Sequence, residues 1–237
     1  MTGGVAPLRV LSYDVRGLRG DPAAVAGVIK ATRPSVVLLQ QAPTSTRWRS
    51  RCAALAREAD LVVVGGDRKA AGNMVLADLR VKVLGVISTP LPGSWRHRAG
   101  MVLAVLEVAG TRAVVISTRL ALDTAQRSRQ ADALISQIRG LGDQVVCGIG
   151  INDDPGTYPW ATLATRLRDA HAVVPQGGST TFPAFAPTRR IDAIFVSEAV
   201  TVLGAGVPAG LPAAAAASDH LPVLGELLLG PSGGSGS

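Results

Sequence analysis

Near its C-terminus the chain reads "AAAAASDHLPV", an alanine run broken by Ser218-Asp219-His220 just before the apolar stretch "LPVLGELLL". Only three histidines occur, His97, His171 and His220, so one set beside an acid at the mouth of a strand is a candidate for chemistry. A nearby carboxylate favours the charged form of an imidazole, which suits it to an anionic substrate. Taken alone, the pair reads as a polar loop that closes a strand end.

Other polar residues end or enter apolar runs in the same way. They are Asp14 after "LSY", Gln41 after "LLQ", Arg119 after "IST", Asn152 and Asp153 after "GIGI", and Asp192 in "RID". Open α/β sheets hold ligands at the carboxyl ends of their strands, so the set is a candidate site, whereas each residue singly would be a turn or cap.

The elements that must carry these residues follow from periodicity. Runs rich in Val, Leu and Ile predict strands over 8–15, 35–41, 61–66, 73–79, 80–89, 101–108, 111–120, 144–151, 190–197, 199–207 and 221–229. Helical spacing predicts helices over 21–32, with an Asp cap and Pro at the first helical position, and over 44–59 and 123–141. A fourth helix is expected in "YPWATLATRLRDA", after the "DDPG" turn. Eleven strands with four helices, many strands adjacent in sequence, suit two strand-rich layers with helices outside rather than a βα barrel.

Composition fits a folded core. Of 237 residues 47% are hydrophobic and 17% charged, and aromatics make up only 3%, so the core must be built from Ala, Val and Leu. Residues 1–230 read as one domain and "GPSGGSGS" as a flexible Gly/Ser tail, over 231–237. Net charge is +7, carried almost wholly by arginine, since the only lysines are Lys30, Lys69 and Lys82. Arginine suits phosphate recognition, although an Arg- and Ala-rich composition also follows from a GC-rich genome. Cys52 and Cys147 stand in apolar settings and read as buried free thiols. No basic-then-apolar leader and no membrane-length apolar run is present, so a cytoplasmic protein is expected.

The segments "LRVLSYDVRGLR", "VVLLQQAP", "ISTRLALD", "GIGINDDPG", "RIDAIFVS" and "SDHLPV" occur in the order found in the endonuclease/exonuclease/phosphatase family, which the chain resembles from about residue 8 to 229. The resemblance implies a four-layer αββα sandwich of two packed mixed β-sheets flanked by helices. It implies hydrolysis of a phosphoric ester with Mg²⁺ or Mn²⁺, and a phosphate-bearing partner, nucleic acid or small phosphoester. On it, His220, Asp192 and Asn152 would be catalytic, with Asp192 orienting His220. Arg119 and Asn73 would face the phosphate, and Asp14, Gln41 and Asp219 would hold the metal.

Four positions depart from the family's pattern. Asp14 stands for an Asn, Gln41 for a Glu, and Arg119 for a phosphate-side His, while the acid of a Gly-Asp-x-Asn turn is missing near Gly150. The first two exchange one carboxylate and one amide, so Asp14 could become the charged ligand and the Gln41 carbonyl the neutral one. Loss of the acid removes general-base assistance worth roughly 10²–10⁴-fold. Two functional readings follow: a hydrolase with an altered site, and a pseudoenzyme that binds a phosphate-bearing ligand. An engineered origin is a third explanation of the substitutions and the tail. Arg96, His97 and Arg98 form a basic loop, and Arg47, Arg49 and Arg51 a solvated helix face. Trp48, Trp95 and Trp160 are too scattered for a base-stacking platform.

Overall fold

A computed structural model describes residues 4–93, 98–211 and 214–230. The Gly/Ser tail and Trp95, Arg96 and His97 of the basic loop lie outside the described residues. The strands run as β1 (Ala6–Asp14), β2 (Val36–Gln40), β3 (Val62–Gly65), β4 (Met74–Ala77), β5 (Lys82–Leu91) and β6 (Ala99–Val108). They continue as β7 (Thr111–Arg119), β8 (Val145–Gly150), β9 (Arg168–Asp169), β10 (Asp192–Val196), β11 (Val200–Gly206) and β12 (Val223–Leu229). The helices are α1 (Pro22–Thr32), α2 (Trp48–Glu58), α3 (Thr124–Ile138), α4 (Tyr158–Ala164), α5 (Ala170–Val173) and α6 (Ala214–Ala217).

Two six-stranded mixed sheets pack face to face with helices outside. Their strand orders are β11-β12-β1-β2-β4-β3 and β5-β6-β7-β8-β10-β9. Each contains one parallel pair, β1–β2 and β7–β8. A parallel pair needs a crossover, and α1 and α3 supply them. Both helices start on an aspartate: Asp21 accepts from the Ala23 N–H and Asp123 from the Gln126 N–H, each at 2.9 Å.

The central strands, β2 and β8 among them, are apolar on both faces because both faces are covered. Val10, Leu38, Val102, Val115, Val146 and Ile194 fill the space between the sheets. On one outer face Leu11, Tyr13 and Leu39 meet Ile29 of α1 and Leu55 of α2. On the other, Ile116, Cys147 and Phe195 meet Leu134 of α3 and Leu163 of α4. Small residues let the sheets approach: a Cβ on Gly148 would stand 2.8 Å from both Leu38 Cδ1 and Ser12 Oγ. Both cysteines are free and buried, and burial pushes the Cys52 thiol up to about 11 and that of Cys147 up to about 12. No described helix is long and apolar enough to cross a membrane.

Three local readings change. The predicted helix over 158–170 stops at Ala164, because Arg168 and Asp169 pair with β10 as a twelfth strand and Arg168 donates to the Glu198 and Val200 carbonyls. The strands expected over 73–79 and 80–89 become Met74–Ala77 and Lys82–Leu91, because the Asp78 carboxylate accepts from the Arg80 N–H at 2.8 Å and makes a turn between sheets. The alanine run before Ser218 holds a short helix, α6.

Candidate active site

The carboxyl ends of the two parallel pairs lie at one rim of the sandwich. Asp14 ends β1 in register with Gln40 of β2, and Arg119 ends β7 in register with Gly150 of β8. Asp192, which begins β10, also registers with Gly150. The 218–220 loop before β12 brings in His220. Asp14, Gln41, Arg119, Asn152, Asp192, Asp219 and His220 therefore converge from both sheets.

His220 Nδ1 lies 2.7 Å from Asp192 Oδ2, with both side chains almost wholly buried. The Thr181 hydroxyl accepts from the Ile191 and Asp192 N–H groups, fixing the start of β10. Ser218 Oγ donates to the Asp14 carbonyl at 2.7 Å and accepts from the His220 N–H, tying the loop to β1. The Phe182 ring covers His220 at a centroid distance of 5.0 Å. Burial opposes the imidazolium, but the Asp192 hydrogen bond and the charges of Asp192, Asp14 and Asp219 outweigh it, holding His220 above the ordinary histidine value. With Nδ1 committed to Asp192, Nε2 faces the site, 4.0 Å from Asp14 Oδ2.

Asp14 is the hub. Its Oδ1 accepts from the Arg16 N–H at 2.9 Å. Its Oδ2 accepts from Arg119 Nε at 2.7 Å and from Gln41 Nε2 at 3.0 Å. A carboxylate is acceptor-only, so the neighbouring amide must present its NH₂. Gln41, in a left-handed conformation (φ 50°), thus turns a donor toward Asp14, where the sequence suggested a carbonyl ligand. The adjacent Gln40 is a different residue in kind: wholly buried between the sheets, with Nε2 2.9 Å from the Leu38 carbonyl.

Arg119 spans the rim. Its Nη2 donates to Asn152 Oδ1 at 3.0 Å, and Asn152 Nδ2 donates to the Leu120 carbonyl. Asn152 therefore braces Arg119, with its amide oxygen on the guanidinium and one amide N–H on the Leu120 carbonyl. Asp153 turns away, bound by Arg127 at 2.7 Å. Asn73 lines the neighbouring cleft but gives its amide to the Ala70 and Gly100 carbonyls at 2.7 and 2.9 Å. Asp219 Oδ2 pairs with Arg16 Nε at 3.2 Å, while its Oδ1 and Asp192 Oδ1 are buried without a protein partner.

Sequence reasoning missed Arg16, Phe182 and the Ser218 hydroxyl as parts of this rim. Arg16 had a signal: an N–H two residues after an aspartate can turn back onto its carboxylate. Its second contact, to Asp219, had none.

The chain is matched from residue 11 to residue 220 by the sequence pattern of the endonuclease/exonuclease/phosphatase family. It belongs to that family. The fold agrees. An endonuclease/exonuclease/phosphatase from Bacteroides vulgatus superposes with a TM-score of 0.80 at 20% identity, covering 94% of this chain and 99% of that one. The Bacteroides thetaiotaomicron mannosyl-6-phosphatase gives 0.78 at 16% identity, covering 93% and 99%. The human Nocturnin catalytic domain with bound sulfate gives 0.73 at 17%, covering 94% and 93%. No curated protein matches by sequence.

The family's divalent metal can be tested against the residues present. Asp14, Asp192 and His220 each offer a ligand atom, all within 4.8 Å of one another, so a potential metal-binding cluster is there. Most of the donors around it are already engaged, and Asp192 Oδ1 and Asp219 Oδ1 are the carboxylate oxygens left without a protein partner. Asp192 Oδ2 and His220 Nδ1 bind each other, and Asp14 Oδ2 carries two N–H donors. A dication wants several free oxygens and its own waters. Two free carboxylate oxygens, with Asp14 given to Arg119 and Gln41, fall short of that, so as arranged this donor set does not fit one.

Beside Arg119 and Gln41 opens a cleft of about 550 Å³. Ala71, Ala99, Leu120, Ala121 and Leu122 give it apolar walls, with Arg98, Gln126 and Asp123 among its polar groups.

Proposed function

We propose that the protein binds a phosphoric ester at this rim and hydrolyses it slowly. The observation that carries the reading is the Asp192–His220 pair, at 2.7 Å, aiming Nε2 toward the space beside Arg119 and Asp14. The phosphoryl group would lie between His220 Nε2 and the Arg119 guanidinium, with the organic part of the ester in the adjoining cleft. Arg119 would hold charge on the non-bridging oxygens. As water adds to phosphorus and the ester P–O bond breaks, the His220 Nε2 proton passes to the leaving oxygen, while the proton of the attacking water goes to solvent, from which His220 is reprotonated. A mannosyl-6-phosphatase and a catalytic domain with bound sulfate among the structures of this fold support an oxyanion ligand. Mg²⁺ or Mn²⁺ at Asp14, Gln41 and Asp219, which the family resemblance suggests, has no part in these steps, given the donors those groups already carry. Residues 1–230 would form the one domain that carries this site.

Binding without turnover is the second reading, favoured by one observation. No carboxylate stands at Gly150, and its Cβ position is crowded by Arg119 Cγ at 3.1 Å. The deciding experiment is hydrolysis of a chromogenic phosphodiester and of plasmid DNA by the purified chain, with Mg²⁺, Mn²⁺ or EDTA. Activity that His220→Ala abolishes is expected. Turnover indistinguishable from that of His220→Ala would leave binding alone.

A further inference from the structure

We infer that Arg119 takes the place of the divalent cation, so that phosphate binding at this rim is metal-independent; this rests on the phosphate-ester reading above. Two carboxylates that would hold a dication each already hold a guanidinium. Arg119 Nε sits on Asp14 Oδ2 and Arg16 Nε on Asp219 Oδ2, at 2.7 and 3.2 Å. The Asp14 side chain is wholly buried, so its charge must be matched within the site, and Arg119, the Arg16 N–H and Gln41 Nε2 do so with three hydrogen bonds. A cation would have to strip Arg119 from that carboxylate and reverse the Gln41 amide.

The guanidinium that excludes the cation also serves the ligand. Arg119 uses Nε on Asp14 and Nη2 on Asn152, and among the described residues no hydrogen bond reaches Nη1. Its side chain keeps 21% exposure and lines the cleft. A planar, weakly hydrated cation anchored at two nitrogens and open at the third is preorganised for a phosphate oxygen. Because an arginine cannot be removed by a chelator, the site's positive charge is permanent.

The test uses the full chain and inorganic phosphate, titrated calorimetrically in EDTA and again with Mg²⁺, beside a Mn²⁺ spin-resonance titration that reports free metal. Phosphate affinity should agree within about twofold in the two buffers, a difference too small to signal a lost ligand. Free Mn²⁺ should be unaffected by the wild-type chain. Arg119→Ala should weaken phosphate binding about tenfold or more, the loss of one charged hydrogen bond. Arg119→Ala/Gln41→Glu should begin to take up Mn²⁺. Should these variants not fold, Arg119→Lys keeps the charge and should still exclude Mn²⁺. Phosphate binding that requires Mg²⁺, or Mn²⁺ uptake by the wild type that Asp14→Asn removes, overturns the inference and leaves the phosphate reading standing. No phosphate binding in either buffer overturns that reading, and the inference with it.

Discussion

The aliphatic stem of Arg119 occupies the space beside Gly150: a Cβ on Gly150 would lie 3.1 Å from Arg119 Cγ and 3.3 Å from Asp192 Oδ1. The two residues are register partners on β7 and β8. The arginine and the missing side chain are thus one steric arrangement, and neither can be changed without reference to the other.

Gly150→Ala should therefore destabilise the fold by about 1–3 kcal/mol, the usual cost of overpacking. In an Arg119→Ala background the same change should cost less, with a coupling of about 0.5–2 kcal/mol in a double-mutant cycle. Urea unfolding of the four proteins measures it. Strict additivity would mean that the stem yields freely.

Arg119→Ala should itself lower stability by about 2–3 kcal/mol, because it strands the buried Asp14 carboxylate. The figure sits below the cost for a fully buried pair, since Arg119 is partly exposed and Asp14 keeps two other donors. Asp14→Asn in the same chain should recover part of the loss. Unfolding midpoints that show no recovery would count against Asp14 being charged in the pair.

The His220–Asp192 contact makes stability depend on pH in one direction. The folded-state value of His220 is raised above the unfolded one, so its contribution is complete below the ordinary histidine value of about 6.5. It is lost as pH rises through the raised value. The stability gap between the wild type and His220→Gln should accordingly shrink from acid toward alkaline pH. A gap that widens would reverse the assignment.

Asn73 should matter to the fold more than to the ligand. Asn73→Ala removes two buried hydrogen bonds, to the Ala70 and Gly100 carbonyls, which keep the residue 73 N–H and the Thr118 hydroxyl, and should cost about 1–3 kcal/mol. Phosphate affinity should stay within about twofold, the margin of a residue that makes no contact. A selective loss of affinity at unchanged stability would return Asn73 to the phosphate.

Cys52 and Cys147 should resist a thiol reagent in the native state. Both are buried, and burial holds their thiols at about 11 and about 12, so almost no thiolate forms near neutrality. Both should react once denaturant is added. Rapid native modification of either would show local opening of the strand or helix that carries it.

By itself the sequence determined which residues end strands. Near-continuous runs such as "VVLLQ" and "VVCGIG" can be buried only as strands covered on both faces, and Asp caps start two of the crossover helices. Because polar side chains end or enter the apolar runs, Asp14, Arg119, Asp192 and His220 could be named from spacing and family order. What only the tertiary structure decided is what each polar atom faces. Asp14 meets Arg119 across two different sheets, and Asp192 meets His220 with β11 and α6 between them in the chain, so no local pattern encodes either contact. The Gln41 amide took its direction from that arrangement: beside a carboxylate already fixed by Arg16 and Arg119, only its NH₂ could turn inward. Hydrogen-bond direction is a property of the assembled neighbourhood, and here it separates a donor from the carbonyl ligand that the residue's type alone allowed.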